Sequence, residues 1–393
     1  MQPQYTMVAT TLFGLEEVLA DELKQLGAQE VKPGVRSVSF SGDKGFMYKA
    51  NLCLRTAIRI LKPLRRFPVF DEDDLYKKLQ QIPWERYMNV DSTFAIGAVV
   101  HSKHFTANNH YISLKSKDAI ADYFRHKYHR RPNVDLKHPD CKIHIRIQQG
   151  HCTVSLDSSG NSLHKRGYRS ATNIAPINEV LAAGMILLSG YKGHRNFIDP
   201  MCGSGTILIE AAMIAAKIPA NINRNEFAFE KWEDYDEELF FTIHDALLKR
   251  ISSPPFKIMG FDKAPSAVRK AKENIKNAQL SDFIGVHHVN FFNSVKEVFG
   301  STTLLFNPPY GERLSIEAPT FYKQIGDTLK HHYPGTTAWL ITSDIEALKY
   351  VGLRTSKRIA LKNADLDCKF VKYEMYEGSR KTSKNSSPEG SQK

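Results

Sequence analysis

Cysteine is scarce in this sequence, five in 393 residues, and the five stand far apart at 53, 141, 152, 202 and 368 with no C-x-x-C pair and no zinc-ligand spacing. Neither a disulfide framework nor a structural zinc site is therefore supported. The fifteen histidines form no H-E-x-x-H, and the adjacent pairs His287-His288 and His331-His332 would point to opposite sides of a strand or helix. Long apolar runs are missing too: the longest lies within residues 180–188, far below the ~20 residues of a membrane-spanning helix. Near the N-terminus, Glu16, Glu17 and Asp21 interrupt the apolar residues after Met7, which leaves neither a cationic start nor a signal-peptide core. The expectation is a soluble, cytoplasmic protein with no membrane attachment.

Apolar residues are plentiful at 42%, and the length favours two or three domains, each with its own core. The net charge of +12 is unevenly spread. Residues 1–170 hold 26 Lys/Arg against 17 Asp/Glu, net +9; residues 171–377 hold 24 of each; residues 378–393 hold four against one. A basic module beside a neutral one suggests a polyanion gripped by the first and chemistry done by the second.

Residues 5–13 read as a strand, and Leu15, Val18, Leu19, Leu23 and Leu26 then follow helical spacing up to Gly27. A second strand over 35–40 and a helical stretch over 44–61 complete a small α+β unit, residues 1–65. A further unit over 66–162 has a strand at 94–100, an amphipathic helix at 112–128, and strands at 141–148 and 152–156 joined by Gln149-Gly150. Along 142–148 the isoleucines take one face while Lys142, His144, Arg146 and Gln148 take the other, giving a cationic sheet face. Lys103, His104, Lys115, Lys117, Arg125, Lys127, Arg130 and Arg131 lie nearby in sequence, consistent with an RNA-facing surface or with a merely solvated one. After the turn-rich 158–162 the pattern becomes α/β: strands at 196–199, 257–262, 284–289, 302–306 and 337–342 alternate with helices at 177–189, 206–217, 264–278 and 321–333. That alternation predicts a parallel, doubly wound Rossmann-like sheet over 163–377, with 219–256 as an insertion and a polar, disordered tail at 378–393.

The first α/β crossover reads Asp199-Pro-Met-Cys-Gly203-Ser-Gly205 before its helix. Glycine at 203 and 205 lets backbone approach a ligand, but Leu208 occupies the third position of G-x-G-x-x-G, and an acid in place argues against a diphosphate. S-adenosylmethionine has no phosphate; its amino-carboxylate, sulfonium and ribose suit an acid and glycine amides. Asp262, at the end of the next strand, is placed to accept from ribose hydroxyls or, alternatively, to cap the following helix. Asn290, with Phe291 or Phe292 as a stacking surface, is the candidate adenine contact.

Asn307-Pro308-Pro309-Tyr310 follows the fourth strand. An aromatic amine is a poor nucleophile because its lone pair is delocalised. The Asn307 side-chain carbonyl and the Pro308 backbone carbonyl can accept its two N–H groups and hold the lone pair in line with a sulfonium methyl. Pro309 stiffens the turn, and Tyr310 offers a ring on which an extruded base stacks. The tetrapeptide indicates methylation of a planar amine without choosing the base, so ribosomal RNA, tRNA and DNA amino-methylation stay open, as does a noncatalytic RNA-binding assembly factor.

These motifs resemble the N-P-P-Y class of Rossmann-fold methyltransferases. Together with Leu163-His-Lys-Arg-Gly-Tyr-Arg169, Phe227-Ala-Phe-Glu-Lys-Trp232 and Asn307-Pro-Pro-Tyr-Gly-Glu-Arg313 they look like the bacterial THUMP-domain methyltransferases acting on guanine 2-amino groups of 23S ribosomal RNA, over about residues 1–377. The resemblance implies a ferredoxin-like module and a THUMP domain that bind RNA ahead of the catalytic domain. It implies Asp199, Gly203, Gly205, Asp262 and Asn290 as S-adenosylmethionine contacts, and Asn307, Pro308 and Tyr310 as the base clamp. Asn290 stands where many such enzymes have an acid, and Asn178 where relatives often have Lys.

Overall fold

The structure, a computed structural model, describes residues 4–101, 105, 108–170, 176–298, 300–309 and 317–376. The chain divides into two compact units, one formed by Met1–Gly167 with Ile218–Ile251 and the other by Tyr168–Lys217 with Ser252–Lys393.

The first unit is built on one eight-stranded sheet. Its strands are β1 (Tyr5–Thr10), β2 (Gln29–Gly34), β3 (Ser37–Gly42), β4 (Arg59–Pro68), β5 (Thr93–His101), β6 (Asn133–Val134), β7 (Cys141–Gln148) and β8 (His151–Asp157), in the order β2-β3-β1-β4-β8-β7-β5-β6. Between them run α1 (Glu16–Leu26), α2 (Lys44–Cys53), α3 (Glu72–Leu79) and α4 (Asn109–Tyr128). Helix α1 buries Leu19, Ala20 and Leu23 and ends where Gly27 turns left-handed. Gln149 and Gly150, both at positive φ, make the two-residue turn that joins β7 to β8.

The helical stretch expected over 44–61 is corrected: α2 ends at Cys53, Leu54 is extended, and residues from Arg59 onward form β4. Pro63 and Pro68 within β4 argue against a central strand in sequence, yet it pairs on both sides, with β1 and with β8. The prolines are accommodated by a register irregularity between Pro63 and Arg65 and by the strand's last position. The junction expected at residues 65 and 66 falls inside this shared strand.

The second unit carries α5 (Glu179–Leu188), β9 (Asn196–Asp199) and α6 (Thr206–Ala215). Between α6 and the next strand the chain supplies α7 (Glu237–Leu248) to the first unit, which is the role of the insertion expected over 219–256. Its Phe227, Phe229, Trp232 and Phe240 belong to the first unit's apolar core. The second unit continues with β10 (Ile258–Asp262), α8 (Pro265–Asn277), β11 (Ile284–His288), β12 (Thr302–Phe306), α9 (Ala318–His332), β13 (Thr336–Thr342), β14 (Lys357–Asn363) and β15 (Leu366–Glu374).

Its sheet runs β11-β10-β9-β12-β13-β15-β14. The first five strands are mutually parallel, and β15 then pairs antiparallel with β13 and with β14. Every residue of β9 and β12 is buried, as expected of parallel strands covered on both faces. From β9 the chain winds outward to β10 and β11, then crosses back to β12 on the other side of β9. Such a reversal opens a crevice beyond the carboxyl ends of the strands, the usual ligand position in this architecture.

Candidate active site

Four turns meet at that crevice, those following β9, β10, β11 and β12. They line a cavity of about 360 Å³, together with the segment before α5 and the start of α9. Asp199, Gly203, Asp262, Asn290, Asn307, Pro308 and Pro309 all line it. Tyr310 lies outside the described residues.

Asp199 ends β9 and is 1% exposed. Its Oδ1 accepts the Met201 backbone N–H at 3.2 Å. Burial pushes its carboxyl well above the ordinary range, the Met201 bond opposes that, and the Asp262 charge adds to it. A carboxyl held in this way is stabilised as an anion by a cationic group entering the cavity.

Asp262 has both oxygens engaged: Oδ2 accepts the Gly203 N–H and Oδ1 the Ala264 N–H, each at 2.9 Å. It closes a local turn before α8 rather than capping that helix, whose N-cap is Ala264 without a side-chain bond. Each carboxylate oxygen keeps a second lone pair, so ribose hydroxyls remain feasible donors.

The two glycines divide their work. Gly203, at φ +54, turns its N–H to Asp262 and lines the cavity. Gly205, at φ +83, is not among the lining residues; it starts α6, and a Cβ there would lie 3.3 Å from the Ala271 Cβ on α8. Its glycine is required by backbone conformation and helix packing rather than by ligand approach.

Asn290 accepts the Phe292 N–H at 3.1 Å, leaving its side-chain NH₂ to donate. Phe291 is buried against Phe306 and Tyr333 in the core, so the half-buried Phe292, edge-on to Phe321, is the better stacking surface. Among the described residues, the buried Oδ1 of Asn307 has no hydrogen-bond partner, and it stands next to buried Pro308. An unpartnered buried carbonyl costs about 1–3 kcal/mol, and a ligand N–H would relieve that.

Other participants carry little or no signal in the sequence. Pro176 and Ile177 line the cavity ahead of α5, and their segment is tied down by Arg169, whose Nε donates to Glu179 at 2.8 Å and whose Nη2 donates to Thr206 Oγ1 at 2.9 Å. Asn178 is the N-cap of α5, its side chain accepting the Val180 N–H at 2.9 Å, which accounts for an amide at that position. Lys263 follows Asp262 directly and Ser266 lies in the first turn of α8, and both line the cavity. Phe321 comes from α9 and has no local signal. Among the described residues no helix is long and apolar enough to cross a membrane.

Fold and site together define a Rossmann-like methyltransferase preceded by an accessory α+β unit. Residues 166–372 match the RMKL-like methyltransferase domain, residues 69–157 the THUMP domain and residues 6–61 the RlmL ferredoxin-like domain. The chain belongs to the RMKL-like methyltransferase family. It is 36% identical to a Synechocystis protein assigned to the RNA methyltransferases, across 94% of this chain and 96% of that protein. It is 35% identical to the ribosomal RNA large subunit methyltransferase K/L of Syntrophotalea carbinolica, across 94% of this chain and 53% of that protein. The chain thus spans about half the length of its K/L relatives. Among solved structures, a protein described as a methyltransferase and complexed with S-adenosylhomocysteine superposes with a TM-score of 0.85 at 29% identity, covering 96% of this chain and all of that one. A Listeria monocytogenes protein named for N6-adenine-specific DNA methylation superposes with a TM-score of 0.84 at 30% identity, covering 95% and 97%.

Proposed function

We propose that this protein is a cytoplasmic S-adenosylmethionine-dependent methyltransferase that modifies the exocyclic 2-amino group of a guanine in large-subunit (23S) ribosomal RNA, free or within a ribosome precursor. The observation that carries the reading is the buried Oδ1 of Asn307 just after β12, without a hydrogen-bond partner among the described residues and in one cavity with Asp199 and Asp262. When bound, S-adenosylmethionine supplies an electrophilic methyl on a sulfonium. Asp199 neutralises the cationic amino-acid part, Asp262 and the Gly203 turn hold the ribose, and Asn290 with Phe292 takes the adenine. Asn307 Oδ1 and the Pro308 carbonyl accept the two N–H groups of the target amine and orient its lone pair at the methyl carbon. As the new N–C bond forms and the S–C bond breaks, S-adenosylhomocysteine leaves and the amine sheds one proton to solvent. The names of the K/L relatives favour ribosomal RNA, and the net +9 of residues 1–170 favours a polyanion held by the first unit.

A second reading, adenine amino-methylation of DNA, is favoured by the name of the Listeria relative. Incubation with labelled S-adenosylmethionine and unmodified large-subunit ribosomal RNA, followed by nucleoside mass spectrometry, separates them. N2-methylguanosine is the expected product; label confined to N6-methyladenine in DNA overturns the proposal.

A further inference from the structure

Pairing register sorts the side chains of β4, β5, β7 and β8 onto two faces. One face is closed: Ile143, Ile145, Ile147 and Val154 are buried with Ile112 and Phe124 of α4 in a single apolar core. The other runs in transverse rows. Arg146 of β7 stands opposite Thr153 of β8, and Thr153 opposite Arg66 of β4. The extra residue in β4 between Pro63 and Arg65 is what sets Arg66, rather than Arg65, in this row. In the adjoining row His144 pairs with Gly97 of β5, where an added Cβ would meet only the edge of His144, at 4.0 Å. Gly97 is itself exposed, so the sheet face is open at that point, whereas Ser155, opposite His144 in the same row, is buried. Burial lowers the His144 pKa to about 4, so its imidazole is a neutral, flat element between the charges. Arg66 is exposed and Arg146 partly so, and among the described residues no carboxylate pairs with either.

Helix α4, on the closed side, presents the opposite case. Lys115 pairs with Asp73 at 2.8 Å, Lys127 with Glu85 at 2.6 Å, Arg125 with Asp122 and, just beyond the helix, Arg130 with Asp91 at 2.6 Å. Such pairs add little stability, but each cancels the field of its cation within a few ångströms. The helix is rich in basic residues and nearly neutral in effect. The open sheet face has fewer cations, and they are unbalanced.

We infer that the open sheet face around Arg66 and Arg146, and not the basic surface of α4, is where the phosphate backbone of RNA docks on the first unit. The inference rests on the reading of RNA as substrate given above. Its test compares two double variants that remove the same charge, R66Q/R146Q and K115Q/K127Q, by fluorescence anisotropy on an in vitro transcript of large-subunit ribosomal RNA across a salt series. R66Q/R146Q is expected to weaken binding at least tenfold and to lower the salt slope by about 2, one for each phosphate no longer neutralised. K115Q/K127Q is expected to stay within about threefold of the parent protein with an unchanged slope. Circular dichroism and thermal melting of each variant, measured in parallel, confirm that it is folded. A parent protein that binds the transcript while R66Q/R146Q keeps its affinity and slope overturns this inference alone. A parent protein that binds no RNA above its affinity for duplex DNA overturns the RNA reading and the inference with it.

Discussion

The Asp262 carboxylate accepts the backbone N–H of Gly203 at 2.9 Å, joining the turn after β9 to the turn after β10 across two neighbouring strands. One side chain thereby sets the shape of a loop that begins 63 residues earlier, at Asp199. Replacing it with Ala strands the Gly203 and Ala264 N–H groups as well as any ribose contact. With roughly 1–3 kcal/mol for a lost charge-assisted bond, Asp262→Ala should weaken S-adenosylhomocysteine binding by roughly 10- to 100-fold. RNA affinity should stay within about twofold. Calorimetry with S-adenosylhomocysteine and anisotropy with RNA read the two separately, and matched losses in both would count against the division of labour between the units.

At Asp199 the proposed cofactor role and the stability of the fold make opposite demands. Its folded pKa lies above the ordinary 3.8 because of burial, so the folded protein carries no penalty below that value and an increasing one as pH rises through the shifted pKa. The cost is about 1.4 kcal/mol for every pH unit by which burial raises it. Asp199→Asn removes the charge without changing the volume. The variant should melt at higher temperature than the parent near neutral pH, with the difference vanishing towards pH 4, while its affinity for S-adenosylmethionine falls. In the parent, affinity for that cationic ligand should rise with pH over the same window, because only the ionised carboxyl pairs with an ammonium. Melting curves and ligand titrations at several pH values check both; a variant that melts lower at every pH would show that the carboxylate stabilises the fold instead.

Asn307 should act on the chemical step rather than on cofactor binding. Loss of one preorganised acceptor costs about 10²–10³ in kcat, and Asn307→Ala is expected to fall in that range with S-adenosylhomocysteine affinity changed by less than about twofold. Single-turnover methylation gives the rate and calorimetry the affinity. A variant in which KM for the cofactor rises and kcat is preserved would remove Asn307 from the amine-binding role.

Much of the second unit is legible in the sequence, for a physical reason. Strands β9, β12 and β13 are almost wholly buried and appear as short apolar runs, and Asp199 and Asp262 at strand ends and Asn307 directly after β12 interrupt the apolar pattern with polar groups at the carboxyl end of the sheet. Strands β14 and β15 are not legible because their cationic and apolar residues fail to alternate cleanly, as in Lys369-Phe-Val-Lys372, and no strong turn signals frame them. The start of β4 reads as helix because its partners, β1 and β8, lie about 50 and 90 residues away and impose an extended conformation on a proline-bearing segment. The basic residues of α4 look equally free in sequence; that Asp73 sits 42 residues from Lys115 and still neutralises it is a property of the fold.

Gly205 allows the backbone and packing contributions to be separated. At φ +83 an alanine is strained by roughly 1–2 kcal/mol, and its Cβ would also lie 3.3 Å from the Ala271 Cβ and 3.4 Å from its Cα. The contact asks for a shift of only tenths of an ångström, so the backbone term should dominate. Gly205→Ala is expected to destabilise by about 1–2 kcal/mol, and Ala271→Gly, inside a helix, by about 1 kcal/mol. If strain at φ is the main cost, the double variant sums the two to within about 0.5 kcal/mol, because enlarging the space at 271 leaves the dihedral unchanged. A double variant clearly more stable than that sum would locate the cost in the α6–α8 contact instead. Urea unfolding of all four proteins supplies the cycle.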